Sequence, residues 1–366
     1  MTDSPNTTSR PSAKPRLALA IIGVLLLVAV IAGAGWWFFA RPTAPEWDRV
    51  ASLDLFAPAG DAFDKTTPWV SLTFAPAAVN ADVPVTLRLE DRQGTPTPSG
   101  DSSASITAAS LQPLGGASEP MSLTAAGETT ATTTVRFPQA GWWRISVETS
   151  ASETPATFDF IVPDPNVAGP GAVPAPQTQP DAEALYRQGL EALTTLQSVH
   201  YVQWMADGRG NGAISEHSVS GGTDTLPPEF AYRAAGGMEA IMIGDVRWVQ
   251  LPNDMGWTKQ EGAVIVPPSE WGEEYEGATQ FTVLGQEEVH GVPTTIISFL
   301  VPEVTEPQRR TAAWYAWWVD PATGHILRET MVSRSHYMLN TFSEYDVPLN
   351  LQPPVLEGTP AATPLP

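Results

Sequence analysis

The 366-residue chain contains no cysteine. Disulfides, thiolate nucleophiles, Cys-ligated zinc, iron–sulfur clusters and a lipid-modified N-terminal cysteine are excluded with it. Lysine is scarce, present only as Lys14, Lys65 and Lys259. With 40 acidic and 19 basic residues the formal net charge is −21. A surface of that sign repels phosphate backbones, which argues against a nucleic-acid partner. The five histidines (His200, His217, His290, His325 and His336) form no H-E-x-x-H pair and no other closely spaced ligand pair. No G-x-S-x-G elbow occurs. The stretch "GRGNG" (Gly208–Gly212) has no Lys-Ser/Thr and no helix after it, so it reads as a hairpin turn rather than a phosphate loop. Glu270, Glu273, Glu274 and Glu276 match no calcium-loop spacing and read as a solvated acidic loop. Met205, Met238, Met242, Met331 and Met338 are spread through strands, as core or pocket lining would be, not clustered with His as a copper relay would be. The expectation is a chain without catalysis, cofactor or metal.

A long apolar run is present. Leu17–Ala40, "LALAIIGVLLLVAVIAGAGWWFFA", carries no charge in 24 positions, enough to cross a hydrocarbon core of about 30 Å as a helix. Arg10, Lys14 and Arg16 precede it, whereas Glu46 and Asp48 soon follow Arg41. The positive-inside bias puts the N-terminus in the cytoplasm and the bulk of the chain outside the cell membrane. Trp36, Trp37, Phe38 and Phe39 stand where an interfacial aromatic belt belongs. A cleaved signal peptide, with Ala32–Ala34 as the small-residue site, is the competing reading.

The organisation expected is a cytoplasmic tail (1–16), a transmembrane helix (17–40), a β-sandwich (51–162), a Pro-rich linker (163–180), an α+β domain (181–352) and a disordered tail (353–366). In the first folded region Val85, Leu87 and Leu89 alternate with Thr86, Arg88 and Glu90, as in a half-buried strand. Several such runs without a helical stretch make an all-β sandwich the default. The order "LTFAPAAVNADVPVTLRLEDRQG" then "RFPQAGWWRISVE" resembles the small immunoglobulin-like domains of the YtkA/FixH type. No copper site follows, because the region has no His or Cys and only Met121. A spacer or docking role is expected of it.

The second region opens with "DAEALYRQGLEALTTLQSVHY", where Asp181 can serve as N-cap and Leu185, Tyr186, Leu190, Leu193 and Leu196 recur at helical spacing. A run of strands joined by short turns follows, an α+β pattern. The motifs "GQEEVHGVPTTIISF", "WVDPATGHILRE" and "NTFSEYDVPLNLQPP" resemble the LolA/LppX/LprG superfamily of extracytoplasmic lipoprotein- and lipid-binding proteins. That resemblance implies a half-open barrel, a curved antiparallel sheet wrapping one or more helices around an apolar cavity, and acyl-chain ligands. It departs from the family in having no lipobox cysteine, and "EGAVIVPPSEWGEEYEGA" (Glu261–Ala278) is too rich in Pro and Gly for long covering helices.

The segment "TAAWYAWWVDPATGHILRETM" (Thr311–Met331) reads as a β-hairpin with Gly324 at the φ > 0 position of its turn. Pairing Asp320 with His325 places Trp318 opposite Leu327 and Trp314 opposite Met331 on an apolar face suited to the cavity. Tyr315 and Trp317 then cover the outside, opposite Thr330 and Arg328. The cavity lining expected is Trp314, Trp318, Leu327 and Met331, with Tyr232, Ile241, Ile243, Trp248, Phe281 and Phe299; plain core filling is the alternative use of the same rings.

Three functions follow. The first is a membrane-anchored binding protein for a hydrophobic ligand, a lipid or lipidated peptide. The second is a structural or envelope-sensing ectodomain without ligand. The third is an extracytoplasmic hydrolase, which a buried Ser–His contact would favour.

Overall fold

The structure, a computed structural model, describes residues 53–64, 67–75, 77–90, 104–163, 179–252, 256–304, 310–333 and 336–356. The expected cytoplasmic tail, the Leu17–Ala40 segment, the linker apart from its ends and the tail beyond residue 356 lie outside these.

Nine strands come first: β1 (Leu53–Pro58), β2 (Trp69–Phe74), β3 (Asp82–Glu90), β4 (Ile106–Pro113), β5 (Glu119–Pro120), β6 (Thr124–Ala125), β7 (Thr130–Arg136), β8 (Gly141–Thr149) and β9 (Ser152–Val162). They form a five-stranded sheet, β1-β2-β3-β7-β6, and a four-stranded sheet, β5-β4-β8-β9. Val83, Val85, Leu87 and Leu89 alternate inward along β3. Phe74 of β2 meets Phe160 of β9 at 5.0 Å between ring centroids, so the two sheets share one core.

Helix α1 (Pro180–Thr195) follows. Its N-cap is Gln179 rather than Asp181. Proline fits the first helical position because it has no N–H to lose there. Asp181 and Glu183 lie in the first turn, where the helix dipole favours carboxylates. The Gln179 side chain accepts from the Val283 N–H and its own N–H donates to the Phe281 carbonyl, fixing where the helix starts.

Eleven strands complete the chain: β10 (Ser198–Ala206), β11 (Gly212–Ser220), β12 (Glu229–Ala234), β13 (Glu239–Ile243), β14 (Val246–Gln250), β15 (Trp257–Glu261), β16 (Thr279–Val289), β17 (Val292–Val301), β18 (Ala313–Val319), β19 (Ile326–Ser333) and β20 (His336–Ser343). They make one antiparallel sheet in the order β15-β14-β13-β12-β11-β10-β20-β19-β18-β17-β16. Between β15 and β16 lies only a short 3₁₀ helix, Pro268–Tyr275.

This corrects the expected fold class. The described residues are 56% strand and 9% helix, in large open antiparallel sheets with little helix packed on them, rather than a sheet wrapping helices. Two physical causes are visible. The Pro- and Gly-rich 261–278 stretch supports no long helix, and the other face of the sheet is covered by strands. Among the described residues no helix is long and apolar enough to cross a membrane.

The large sheet is a middle layer. One face carries Tyr315, Trp317, Met331 and Phe342 against α1 and the 3₁₀ helix. The other carries Trp314, Ala316, Trp318 and Val332 in a core continuous with that of the nine-stranded part. A buried charge cluster crosses this second contact. Arg144 of β8 donates to both carboxylate oxygens of Asp159 on β9, at 2.6 and 3.1 Å. It also donates to Glu287 of β16 at 2.7 Å. Arg328 and Thr330 of β19 donate to Asp159 at 3.2 and 3.0 Å. Burial alone would raise the Asp159 pKa, but the guanidinium charges of Arg144 and Arg328 outweigh it and hold the carboxyl below its ordinary range. Burial and the like charge of Arg144 bring Arg328 down to about 10, so it stays protonated at neutral pH. Nearby, Gly115 and Gly285 pass so close that a Cβ on Gly285 would stand 2.4 Å from the Gly115 carbonyl oxygen. Only glycine allows that approach.

The aromatic hairpin also needs correction. Its turn forms as expected: Gly324 has φ +81° and its N–H donates to the Asp320 carbonyl at 2.8 Å. Val319 pairs with Ile326, but the next pair is Trp318 with Arg328, and Leu327 bulges out. Beyond a bulge every later partner shifts by one. Trp317 therefore stands opposite Glu329, Tyr315 opposite Met331 and Trp314 opposite Val332. Tyr315 and Trp317 are the pair facing α1, while Trp314 and Trp318 face the nine-stranded part.

Candidate functional site

A cavity of about 340 Å³ lies on the α1 side of the large sheet. Its walls are apolar and aromatic: Val219, Phe230, Met242, Ile265, Trp271 and Phe342. Strands β10–β13, β19 and β20 supply one side, and the 3₁₀ helix with the segment leading into it supplies the other. Val264 and Val266 line it while remaining 82% and 52% exposed, which marks its mouth. The Trp271 indole N–H donates to the Val266 carbonyl and pins that rim.

The polar lining comprises Gln203, Glu274, Tyr275, Glu329 and Asn340, together with Tyr201. Glu329 is 1% exposed. One of its oxygens accepts from the Tyr275 hydroxyl at 2.7 Å and from the Trp317 indole N–H at 2.6 Å. The other accepts from the Asn340 amide at 2.9 Å, and Gln203 in turn donates to Asn340 at 3.1 Å. Tyr315 donates to Glu274 at 3.0 Å. Burial raises the Glu329 pKa, the Glu274 charge raises it further, and the three donors offset this only in part; the carboxyl is pushed up to about 7. Burial followed by the Glu329 charge likewise drives the Tyr275 hydroxyl well above its usual range.

This shift carries a sign. The folded pKa lies above the unfolded value of 4.5, so the native state holds the extra proton between the two. Stability then falls as pH rises through that window. Wild type should lose stability relative to Glu329→Gln as pH climbs. Urea unfolding of both proteins at about pH 5 and about pH 8 measures the change. A difference between them independent of pH would contradict the assignment.

None of the ten residues expected from sequence to line a cavity lines this one. Phe281, Phe299 and Met331 belong to the core beneath α1 on the same face. Phe299 packs on Trp317 and Tyr186, at 4.7 and 4.9 Å. Tyr232 shares that face and meets the His217 ring at 5.1 Å. Ile241 and Ile243 flank Met242 on β13 and point to the opposite face, where Ile241 pairs with Trp248. Trp318 and Leu327 belong to the core against the nine-stranded part. Trp314 lines a separate crevice there, with Trp142 and Ser298. The residues that reading missed, Glu329 above all, carried one signal: a charge within a hairpin strand otherwise rich in apolar partners.

The structure also contains a buried Ser–His contact, Ser215 Oγ to His217 Nε2 at 2.7 Å. His217 is stacked on Tyr201 at 4.5 Å, and burial, then the proximity of His200, lower its pKa to about 4. Its Nδ1 has no hydrogen-bond partner, so nothing orients the ring as a triad base requires. Ser215 is 2% exposed, which leaves no approach for a substrate. The pair is part of the aromatic packing behind the cavity. Among the described residues no group of three His, Cys, Asp or Glu side chains could hold a metal ion.

About half of the chain is similar, at low identity, to several solved structures. The lipoprotein LppX of Mycobacterium tuberculosis is 21% identical, with a TM-score of 0.35, over 48% of this chain and 100% of its own. LprF from Mycobacterium bovis is 13% identical, with a TM-score of 0.40, over 49% of this chain and 99% of its own. A LolA superfamily protein from Nitrosomonas europaea is 11% identical, with a TM-score of 0.21, over 46% and 94%. No known family matches the chain, and no curated protein matches it.

Proposed function

We propose that the protein binds a hydrophobic ligand, a lipid or a lipidated peptide, in the cavity on the α1 face of the large sheet. The observation that carries this is the cavity itself. It has apolar walls, a mouth formed by exposed valines and a polar end with a buried carboxyl. Its volume of about 340 Å³ lies at the low end of small-molecule sites, which suits one acyl chain rather than a multi-chain lipid. The walls hold no nucleophile with an oriented base, so the reading is carriage or sensing, not turnover.

The fluorescence of a neutral, polarity-sensitive naphthylamine probe tests this. Wild type should take the probe up with saturation. Met242→Trp, which fills the cavity from a half-buried strand, should abolish uptake with little effect on unfolding. Equal uptake by both proteins would place the probe elsewhere and remove the reading's support.

In the same proposal the protein is anchored by Leu17–Ala40 with its bulk outside the cytoplasm, and the nine-stranded part, resembling YtkA/FixH domains in sequence, supports the binding sheet. Protease added to intact spheroplasts should release the large fragment. A mature N-terminus near Gly35 would contradict the anchor.

A further inference from the structure

We propose that the cavity takes amphiphiles whose polar end is a protonated amine, seated against Glu329 and Glu274 with the alkyl chain toward the Val264–Val266 mouth. This rests on the binding reading above and specifies the ligand's chemistry.

The first ground is charge. Two carboxylates line the cavity, and no Lys, Arg or His is among the lining residues. Glu329 is buried at the polar end with hydrogen bonds but no cation against it. Arg310 donates to the carbonyls of Glu273, Glu274 and Glu276 and is not among the lining residues. A buried carboxylate without a counter-charge is costly, and a ligand cation is what would offset it.

The second ground is hydrogen-bond capacity. The side-chain donors at the polar end are mostly committed. Tyr275 gives its proton and Trp317 its N–H to Glu329, and Gln203 gives its amide to Asn340 and to the Met338 sulfur. The Tyr201 hydroxyl and the second Asn340 amide proton are what remain. Acceptors are in excess, because a carboxylate offers about four lone-pair sites and Glu329 uses three. A fatty-acid carboxylate would bring acceptors and a negative charge to a place that already has both. An ammonium brings three donors and the missing charge.

The third ground is the walls. Tyr201, Phe230, Trp271, Tyr275 and Phe342 line the same space, and aromatic faces attract a desolvated cation.

The test is isothermal titration of the full-length protein, at about pH 8, where Glu329 is ionised, and below micellar concentrations, with dodecylamine, dodecanol and dodecanoate. Dodecylamine should bind about tenfold or more tighter than dodecanoate, with dodecanol between them. Glu329→Gln should remove most of the amine's advantage while leaving dodecanol within about twofold. If that variant fails to fold, Glu274→Gln, at an exposed position, should reduce the same preference. Dodecanoate binding as tightly as dodecylamine would overturn the amine inference and leave the cavity reading standing. An amine preference that survives both substitutions would also overturn it and assign the preference to the acidic surface. If none of the three binds, or if Met242→Trp leaves binding unchanged, the cavity reading fails and the inference with it.

Discussion

Asp159→Ala should cost about 3–5 kcal/mol of stability, because it leaves two guanidinium groups buried without their shared carboxylate. Asp159 accepts from Arg144, Arg328 and Thr330, and both arginines lie over the Trp318 ring, at 5.5 and 4.9 Å. The cluster joins β8 and β9 to β19, so the loss should also show in how the molecule unfolds. The described residues form one compact unit, with a core continuous across the junction. Wild type should therefore unfold in one transition, and Asp159→Ala should separate it into two. The pH dependence has the opposite sign to that of Glu329. The Asp159 pKa is depressed from 3.8, so its contribution is complete above that value and is lost as pH falls toward the depressed one. A loss below about 1 kcal/mol at neutral pH would show that the cluster does not couple the layers. Replacing Arg144, Asp159 and Arg328 by Met, Leu and Met together with Glu287→Gln, which removes the charge that Arg144 pairs and keeps an acceptor for Trp318, should recover much of the loss, since no buried charge is then orphaned.

Trp317→Ala should cost a further amount of the same order, about 3–5 kcal/mol. Trp317 is fully buried, packs on Phe299, Tyr275 and Tyr186 at 4.7, 4.8 and 5.4 Å, and lies against Gly189 of α1. It also donates to Glu329, so the substitution reaches the cavity's polar end. Trp317→Phe separates the two effects. It keeps most of the ring volume and should raise the Glu329 pKa further by removing one donor. Trp318 is equally buried but donates to Glu287 at the other face. Uptake of the neutral probe should fall with Trp317→Ala and stay at the wild-type level in folded Trp318→Ala. The reverse pattern would mean that the ligand sits on the wrong side of the sheet here.

Much of this fold can be read in the sequence, and what cannot has identifiable causes. The alternation of Val83, Val85, Leu87 and Leu89 announces β3, and the spacing of Tyr186 and Leu193 announces α1. The Asp320–Gly324 turn is legible from Asp, Pro and Gly chemistry alone. The bulge at Leu327 is not, because local pattern fits the regular register equally well and only the ladder to β18 shows which is adopted. The assignment of faces fails for a deeper reason. Both faces of β18 are buried, one by α1 and one by the strands before it, so apolarity cannot tell which rings look toward the ligand. The cavity residues are drawn from β10 to β13, β19, β20 and the 3₁₀ segment, and no spacing rule joins positions so far apart. Glu329 and Asn340 meet through the pairing of β19 with β20, while Tyr275 arrives from a segment 54 residues earlier than Glu329.

The most direct test is a crystal structure of the protein with a brominated alkyl amphiphile, read by the bromine's anomalous signal. Bromine should appear between Phe230, Met242 and Phe342, on the α1 face of the large sheet. A bromine peak beside Trp142 and Trp314, in the crevice on the opposite face, would contradict the proposed site.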